Sequence, residues 1–310
     1  MIRAITVFAA TVLSTVTLFS QQGSIAYGKL AKAVTEGRTG KYEQAKAIYK
    51  YICGNIEFDP TLKNITADDC VRTGKGTCLG YVRLFIRLCS ALGIRTESIS
   101  GHAKAIYYTP GDRVFKHIWL RVEDDNGRMF FVEPTWGSGY VSDGKFVRHD
   151  NNMSWFDVDP EWMVFTHLPD YQRQQYLTKP VAKELFMALP ALYPGTSEMG
   201  IDSRKVLEMY RSGHTAGFPI INPIPGYDVK LVDFPMTRKL SVGEKYKISI
   251  RPSKGKLYAI IDNYKFRDNW QEKDGIMTIE VVPDSPGKLN LATATRNDEQ
   301  YVLVLEYDIE

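Results

Sequence analysis

The stretch GKGTCLGYVRLFIRLCSALGI, residues 74–94, decides how this chain folds. From Cys78 onward its apolar residues recur at helical spacing, with Val82 and Phe85 on one face. A glycine follows the last of these residues and suits the end of a helix. We therefore predict a helix over 78–93 that begins at a cysteine and buries one side.

Helical spacing also runs upstream over residues 27–56, where Gly37 and Gly40 interrupt it. Downstream, the short runs RTESIS, HAKAIYY, KHIWLRVED and RMFFVEP predict strands. The tripeptide Asp125-Asn126-Gly127 between the last two predicts a hairpin. Helices followed by an antiparallel meander indicate an α+β core, with helices packed on the sheet.

From about residue 218 the chain consists of short alternating runs separated by turns, such as KYKISIRP and YVLVLEYDI. This spacing predicts an all-β sandwich of immunoglobulin-like type. The predicted segments are a signal peptide over 1–26, a catalytic core over 27–178, a connecting segment over 179–217 and the sandwich over 218–310.

The N-terminus is typical of a secretory signal. A short positive start precedes an uncharged run from Ala4 to Phe19, which at about 1.5 Å per residue is shorter than a bilayer core of about 30 Å. Small residues at Ser24 and Ala26 favour cleavage after Ala26, although cleavage near Ser20 or an uncleaved anchor are alternatives. We expect a secreted or periplasmic protein, exported by a Sec-type signal, with no membrane span in the mature chain.

Composition excludes several classes. The chain has 310 residues, of which 44% are apolar, 24% charged and 12% aromatic, so disorder is not its main state. Its 39 basic and 36 acidic residues give a net charge of +3 without a basic stripe, which argues against nucleic-acid binding. The sequence shows no metal-ligand motif and no phosphate-binding loop, so we expect no metal and no cofactor.

Four cysteines occur within residues 53–89, and an even number in an exported protein is compatible with disulfides. A chain of this length can bury a large core without them. If one cysteine is a working thiol, at most one bridge remains, and Cys53–Cys70 is the pair we consider.

Cys78 is the first candidate for chemistry. A thiol at a helix N-terminus faces unpaired N–H groups and the positive end of the helix dipole, which favour its thiolate form. The flanking glycines allow close approach of a substrate, and the Cys78 N–H is a candidate oxyanion donor. The alternative is a buried structural cysteine at the start of a helix.

His117 and Glu133 supply what a cysteine nucleophile needs. His117 lies in the alternating run KHIWLRV, and imidazole is the usual base for such a thiol. Pairing through the hairpin at Asn126 brings residues 117 and 133 to the same end of two strands. A carboxylate there can hold the imidazole in one tautomer. A structural histidine and a surface carboxylate are the alternatives.

The ordered blocks GKGTCLGYVRLFIRLCSALGI, SGHAKA, KHIWLRV and FFVEPTWGSGY resemble the transglutaminase-like core of the papain-related cysteine enzymes. The run SWFDVDPEWMVFTHLP and the all-β C-terminal part are similar to the kyphoscoliosis-peptidase branch. The resemblance covers residues 40–180 well and 180–310 loosely.

This resemblance implies that Cys78 is the nucleophile, His117 the base and Glu133 the orienting acid. The family more often has Asp at the position of Glu133, so the longer side chain changes the geometry of that contact. Trp119 and Trp136 match family tryptophans, which either pack the sheet against the cysteine helix or, with Tyr81, line a substrate groove.

Three functions fit this reading. The first is a peptidase or amidohydrolase that forms a thioester on Cys78 and acts on a protein, a peptide or a cell-wall peptide. The second is a protein-crosslinking transglutaminase, in which an amine replaces water. The third is a non-catalytic adhesion or scaffolding module. For the enzyme, we expect Cys78→Ala to abolish acyl transfer and Glu133→Gln to cost least.

Overall fold

A computed structural model describes residues 26–105, 108–150, 152–222, 229–295 and 301–310. The expected signal peptide, apart from Ala26, lies outside these ranges. In the described part, no helix has the length and apolar character needed to cross a membrane.

The chain forms two compact units. Unit 1 contains the described residues up to Ala103, with 115–160 and 169–176, and unit 2 contains 104–114, 161–168 and 177–310. The segment limits given from the sequence stay predictions.

The helices are α1 Tyr27–Val34, α2 Lys41–Asn55, α3 Ala67–Thr73, α4 Cys78–Ser90, α5 Pro134–Ser138, α6 Pro160–Met163, α7 Lys183–Ala188 and α8 Ser203–Arg211. Short 3₁₀ turns cover Gln172–Gln175 and Pro194–Met199. The first nine strands are β1 Glu57–Phe58, β2 Lys75–Gly76, β3 Thr96–Ala103, β4 Phe115–Glu123, β5 Met129–Val132, β6 Gly139–Ser142, β7 Lys145–Arg148, β8 Phe156–Val158 and β9 His167–Pro169. The others are β10 Ile220–Ile221, β11 Lys230–Asp233, β12 Lys239–Leu240, β13 Tyr246–Arg251, β14 Lys256–Asp262, β15 Lys265–Arg267, β16 Gln271–Lys273, β17 Ile276–Val281, β18 Gly287–Thr295 and β19 Val302–Ile309.

Unit 1 packs helices on an antiparallel sheet. Its strands β8, β5, β4 and β3 lie side by side in that order. Ladder pairs include Gly101 with His117 and Leu120 with Val132. The β4–β5 turn closes at Gly127, whose φ of 78° suits a residue without a side chain. Helix α4 packs against β4, so the mixed helix-and-sheet core expected from the sequence is confirmed.

Helix α4 places one face in the core. Its buried residues are Gly80, Tyr81, Val82, Leu84, Phe85, Leu88 and Cys89, which recur at the spacing of a helical face. The helix ends at Ser90, short of the predicted residue 93, and Gly93 then adopts a φ of 71°. The last residues of the predicted helix therefore form a tight turn instead.

Cys70 packs against the loop and helix that flank Cys78. A Cβ added at Gly76 would lie 2.5 Å from Cys70 Sγ, and one added at Gly80 would lie 2.7 Å from the same sulfur. Real Cβ atoms do not approach other atoms so closely. The two glycines are therefore required because Cys70 occupies the space beneath the loop.

We expect Gly76→Ala to lower the free energy of unfolding by about 1–3 kcal/mol, the usual cost of overpacking. Replacing Cys70 with alanine in the same chain makes room for the new methyl group, so the double variant should be more stable than the sum of the single changes predicts. Urea titration of the four proteins measures this coupling. Gly54→Ala, in α2 with nothing within 4 Å, is the control and should not destabilise. Strict additivity would contradict the packing argument.

Unit 2 contains two sheets. One has the order β10-β19-β18-β14-β15 with β12 beside β19, and the other has the order β11-β13-β17-β16. Ile248 and Ile279 from the second sheet and Leu291 from the first belong to one buried cluster. Among the described residues after 217 there is no helix, so the prediction of an all-β C-terminal part is confirmed.

Lys104 in unit 2 is fully buried. Its Nζ donates a hydrogen bond to Leu189 O at 2.7 Å. The ring centroids of Phe186 and Tyr108 lie 4.3 Å and 4.7 Å from Nζ. No carboxylate pairs with this amine in the described ranges, and burial holds the pKa of Lys104 well below its usual range.

Candidate active site

Cys78 is the first residue of α4 and is partly exposed. The residue before it, Thr77, caps the helix, because its side chain accepts a hydrogen bond from Gly80 N at 3.4 Å. Thr77 N donates in turn to Asn64 O at 2.8 Å. Bonds on both sides therefore fix the peptide that carries the candidate nucleophile.

The other three cysteines are buried, and all four are free thiols, so Cys53 and Cys70 do not form a disulfide. Burial raises the pKa of Cys70 to about 12 and raises those of Cys53 and Cys89 as well. These three remain protonated near neutrality. Cys78 is therefore the one cysteine with access to a ligand.

His117 lies on β4 with only 7% of its surface exposed. Its Nε2–H donates to Glu133 Oε2 at 2.9 Å. Burial alone would lower the pKa of His117, but the negative charge of Glu133 and hydrogen bonds with Cys78 and Glu133 outweigh it and raise the pKa to about 9. Because Nε2 faces the carboxylate, Nδ1 is the nitrogen that remains for the thiol.

Glu133 has no exposed surface and uses both carboxylate oxygens. Oε2 accepts from His117, while Oε1 accepts from Thr135 N at 2.9 Å and Trp136 N at 3.2 Å at the start of α5. The Glu133 side chain thus reaches the imidazole while it caps its own helix. The structure brings Cys78, His117 and Glu133 together; their catalytic roles stay predictions.

Aromatic rings surround the imidazole. The Trp119 ring stacks on His117 with centroids 6.3 Å apart, and the Trp136 centroid lies 5.7 Å from that of His117. Trp119 and Tyr81 are fully buried, and the Tyr81 hydroxyl donates to Ile56 O at 2.7 Å. Neither side chain reaches the surface, so these two do not line a substrate groove as predicted. Trp136 is partly exposed, and its predicted contact with substrate stays open.

A loop held by Asp59 supports the residue before the nucleophile. The Asp59 carboxylate accepts hydrogen bonds from the backbone or side chains of Thr61, Lys63 and Asn64, at distances between 2.6 and 3.1 Å. Burial alone would raise the pKa of Asp59, but these bonds hold it well below its usual range. The same Asn64 supplies the carbonyl that accepts from Thr77, so the loop anchors the cysteine peptide.

Sequence reasoning missed two contributors to the site. Asp59 had a signal in the run DPTLKN, since Asp and Asn hydrogen-bond their own following backbone in turns. The other is Phe115, which alternates with His117 along β4 and is 42% exposed. The period of a strand places both residues on one face of the sheet.

The chain is similar to several known proteins. Residues 28–160 match the model of the transglutaminase-like superfamily, so this part of the chain is similar to members of that superfamily. It is 28% identical to kyphoscoliosis peptidase of Mus musculus over 282 residues, 86% of this chain and 38% of the relative. It is 32% identical to kyphoscoliosis peptidase of Homo sapiens over 155 residues, 46% of this chain and 23% of the relative.

A third relative is cytokinesis protein 3 of Schizosaccharomyces pombe, 27% identical over 196 residues, which are 61% of this chain and 22% of that protein. The chain therefore spans between about a fifth and two fifths of the length of these relatives.

Proposed function

We propose that this protein is an exported cysteine-dependent acyl-transfer enzyme, a peptidase or amidohydrolase with Cys78, His117 and Glu133 as its catalytic residues. The observation that carries the proposal is the placement of a partly exposed thiol at a helix start beside a buried imidazole whose other nitrogen is bound by a carboxylate. Its substrate is a protein, a peptide or a cell-wall peptide. Export rests on the charge and apolar pattern of the first residues.

In the proposed reaction, His117 Nδ1 holds the thiol proton, in line with the raised pKa of His117, and Cys78 Sγ forms a bond to the carbonyl carbon of an amide. The first N–H groups of a helix have no partner within it, so the Cys78 N–H stabilises the oxyanion. The amine leaves with the proton from His117 as the C–N bond breaks. Water then attacks the thioester with His117 as base, which releases the acid and restores the thiol.

Glu133 positions the base in this scheme. The carboxylate accepts a hydrogen bond from Nε2–H and stabilises the imidazolium that is present when Nδ1 is also protonated. Its second oxygen is bound by two backbone N–H groups, so the carboxylate cannot turn away from the ring. If an amine replaces water, the same thioester gives a cross-link, which makes a transglutaminase the close alternative.

A non-catalytic scaffolding module is the second candidate, because one relative is named for cytokinesis and not for a peptidase. We also propose that the two sheets of unit 2 form an immunoglobulin-like sandwich, which their shared buried cluster supports.

The enzymatic proposal can be tested with a short peptide that carries a thiol-reactive group. We expect it to label Cys78 alone in the folded chain, as mapped by mass spectrometry, and hydroxylamine to release acyl groups from protein incubated with activated peptide esters. Labelling of Cys78 by iodoacetamide but by no peptide reagent would favour the scaffold.

A further inference from the structure

One face of β4 becomes steadily more exposed toward the start of the strand. Trp119 is fully buried, His117 is 7% exposed and Phe115 is 42% exposed, and the period of a strand places all three on the same face. The Phe115 ring lies 5.9 Å from the imidazole, centroid to centroid. The site therefore opens toward solvent at Phe115, an apolar side chain.

Trp136 forms the second side of this opening. Its ring centroid lies 6.4 Å from that of Phe115 and 5.7 Å from that of His117. Trp155, which is buried, meets the Trp136 ring edge to face at 5.1 Å and fixes its orientation. Two rings from different elements thus stand beside the imidazole and each leaves surface uncovered.

We infer that Phe115 and Trp136 form a specificity subsite that binds an apolar side chain of the acyl donor close to the bond that Cys78 attacks. The inference rests on the proposed function, because it assigns a substrate class to the same site. The exposed ring surface favours a substrate side chain that buries apolar area against it. Such a side chain would leave the scissile amide next to Cys78 and His117.

The position of the nearest lysine supports an apolar occupant of the subsite. The neighbouring Lys116 alternates to the other face of β4, where its Nζ lies 3.0 Å from Asp170 Oδ1. The face that holds Phe115 therefore presents rings, and the imidazole on that face is already bound by Glu133. An acidic side chain placed there would lose hydration without gaining a cation of its own. We expect Phe, Leu or similar residues to be preferred over Asp.

Peptidyl probes with one reactive head group and either Phe or Asp at each of the three nearest positions test the inference on the full chain. The rate of Cys78 labelling, divided by the iodoacetamide rate of the same variant, gives the preference. We expect the wild type to prefer Phe over Asp by roughly tenfold or more at one position, in line with a single apolar contact. Phe115→Ala should lower that preference about tenfold, and Phe115→Leu should restore part of it.

Phe266→Ala removes an exposed phenylalanine from unit 2 and is the matched control, whose preference should equal that of the wild type. An unchanged preference in Phe115→Ala, or a wild-type preference for Asp, would overturn the subsite while the acyl-transfer proposal stands. Failure of every peptidyl probe on a Cys78 that still reacts with iodoacetamide would overturn both.

Discussion

Cys78→Ala is expected to lower acyl transfer by roughly 10⁴-fold or more, because removal of a catalytic nucleophile leaves only binding and oxyanion stabilisation. The other three thiols are buried and cannot replace it. Steady-state hydrolysis of a peptide ester and thioester trapping measure the loss. Urea unfolding should change little, since the side chain lies at the partly exposed start of α4.

Ser90→Ala is a suitable control, because it changes an exposed side chain at the other end of the same helix. It should retain full activity. If Cys78→Ala kept thioester formation, another nucleophile would carry the reaction and the proposed site would be wrong.

Glu133→Gln is expected to have the second largest effect, and a larger one than the sequence suggested. Both Glu133 oxygens accept hydrogen bonds, whereas an amide has one acceptor and one donor group. If the amide oxygen stays on the backbone of α5, the NH₂ group faces His117 Nε2 and forces the proton to Nδ1. That tautomer cannot accept the thiol proton, and the equivalent change in serine proteases lowers kcat roughly 10⁴-fold.

Glu123→Gln is the matched control, because Glu123 lies on the same hairpin and pairs with Lys41 at 2.7 Å near the surface. It should cost at most about 1 kcal/mol and leave kcat unchanged. A Glu133→Gln enzyme with wild-type kcat would show that the carboxylate does not set the tautomer.

The same pair gives stability a pH dependence with a defined sign. The pKa of His117 rises from about 6.5 in the unfolded chain to about 9 in the folded chain. The stabilisation from charged His117 is therefore fully present below about pH 6.5 and is lost as the pH rises through about 9. Chemical denaturation at pH 6, 8 and 10 should show this decline in the wild type and less of it in Glu133→Gln.

Most of the fold of unit 1 could be predicted from local sequence patterns. The helix at Cys78 and the hairpin at Gly127 follow from spacing and from turn residues, which act over a few positions. Strand β3 did not, because the sequence predicts two short strands, RTESIS and HAKAIYY, on either side of Gly101. The strand passes through Gly101, which pairs with His117 in the ladder, since the neighbouring strand supplies hydrogen bonds that override local propensity.

The site was harder to predict than the fold because its details depend on distant contacts. The order of Cys78, His117 and Glu133 in the sequence indicated which groups meet. It could not show that Glu133 also caps α5, or that Tyr81 and Trp119 would be fully buried. Burial is set by packing between elements, which spacing along the chain does not report.

Because of Lys104, the number of protons bound by unit 2 changes on folding in the opposite direction to that of unit 1. When the pH lies between its lowered pKa and the ordinary value of about 10.5, the Lys104 amine releases a proton as unit 2 folds, whereas His117 takes one up as unit 1 folds between about pH 6.5 and about pH 9. Where these pH ranges overlap, the buffer takes up a proton when one unit folds and supplies a proton when the other folds. The contribution of buffer ionisation to the measured enthalpy of unfolding therefore has opposite signs for the two units.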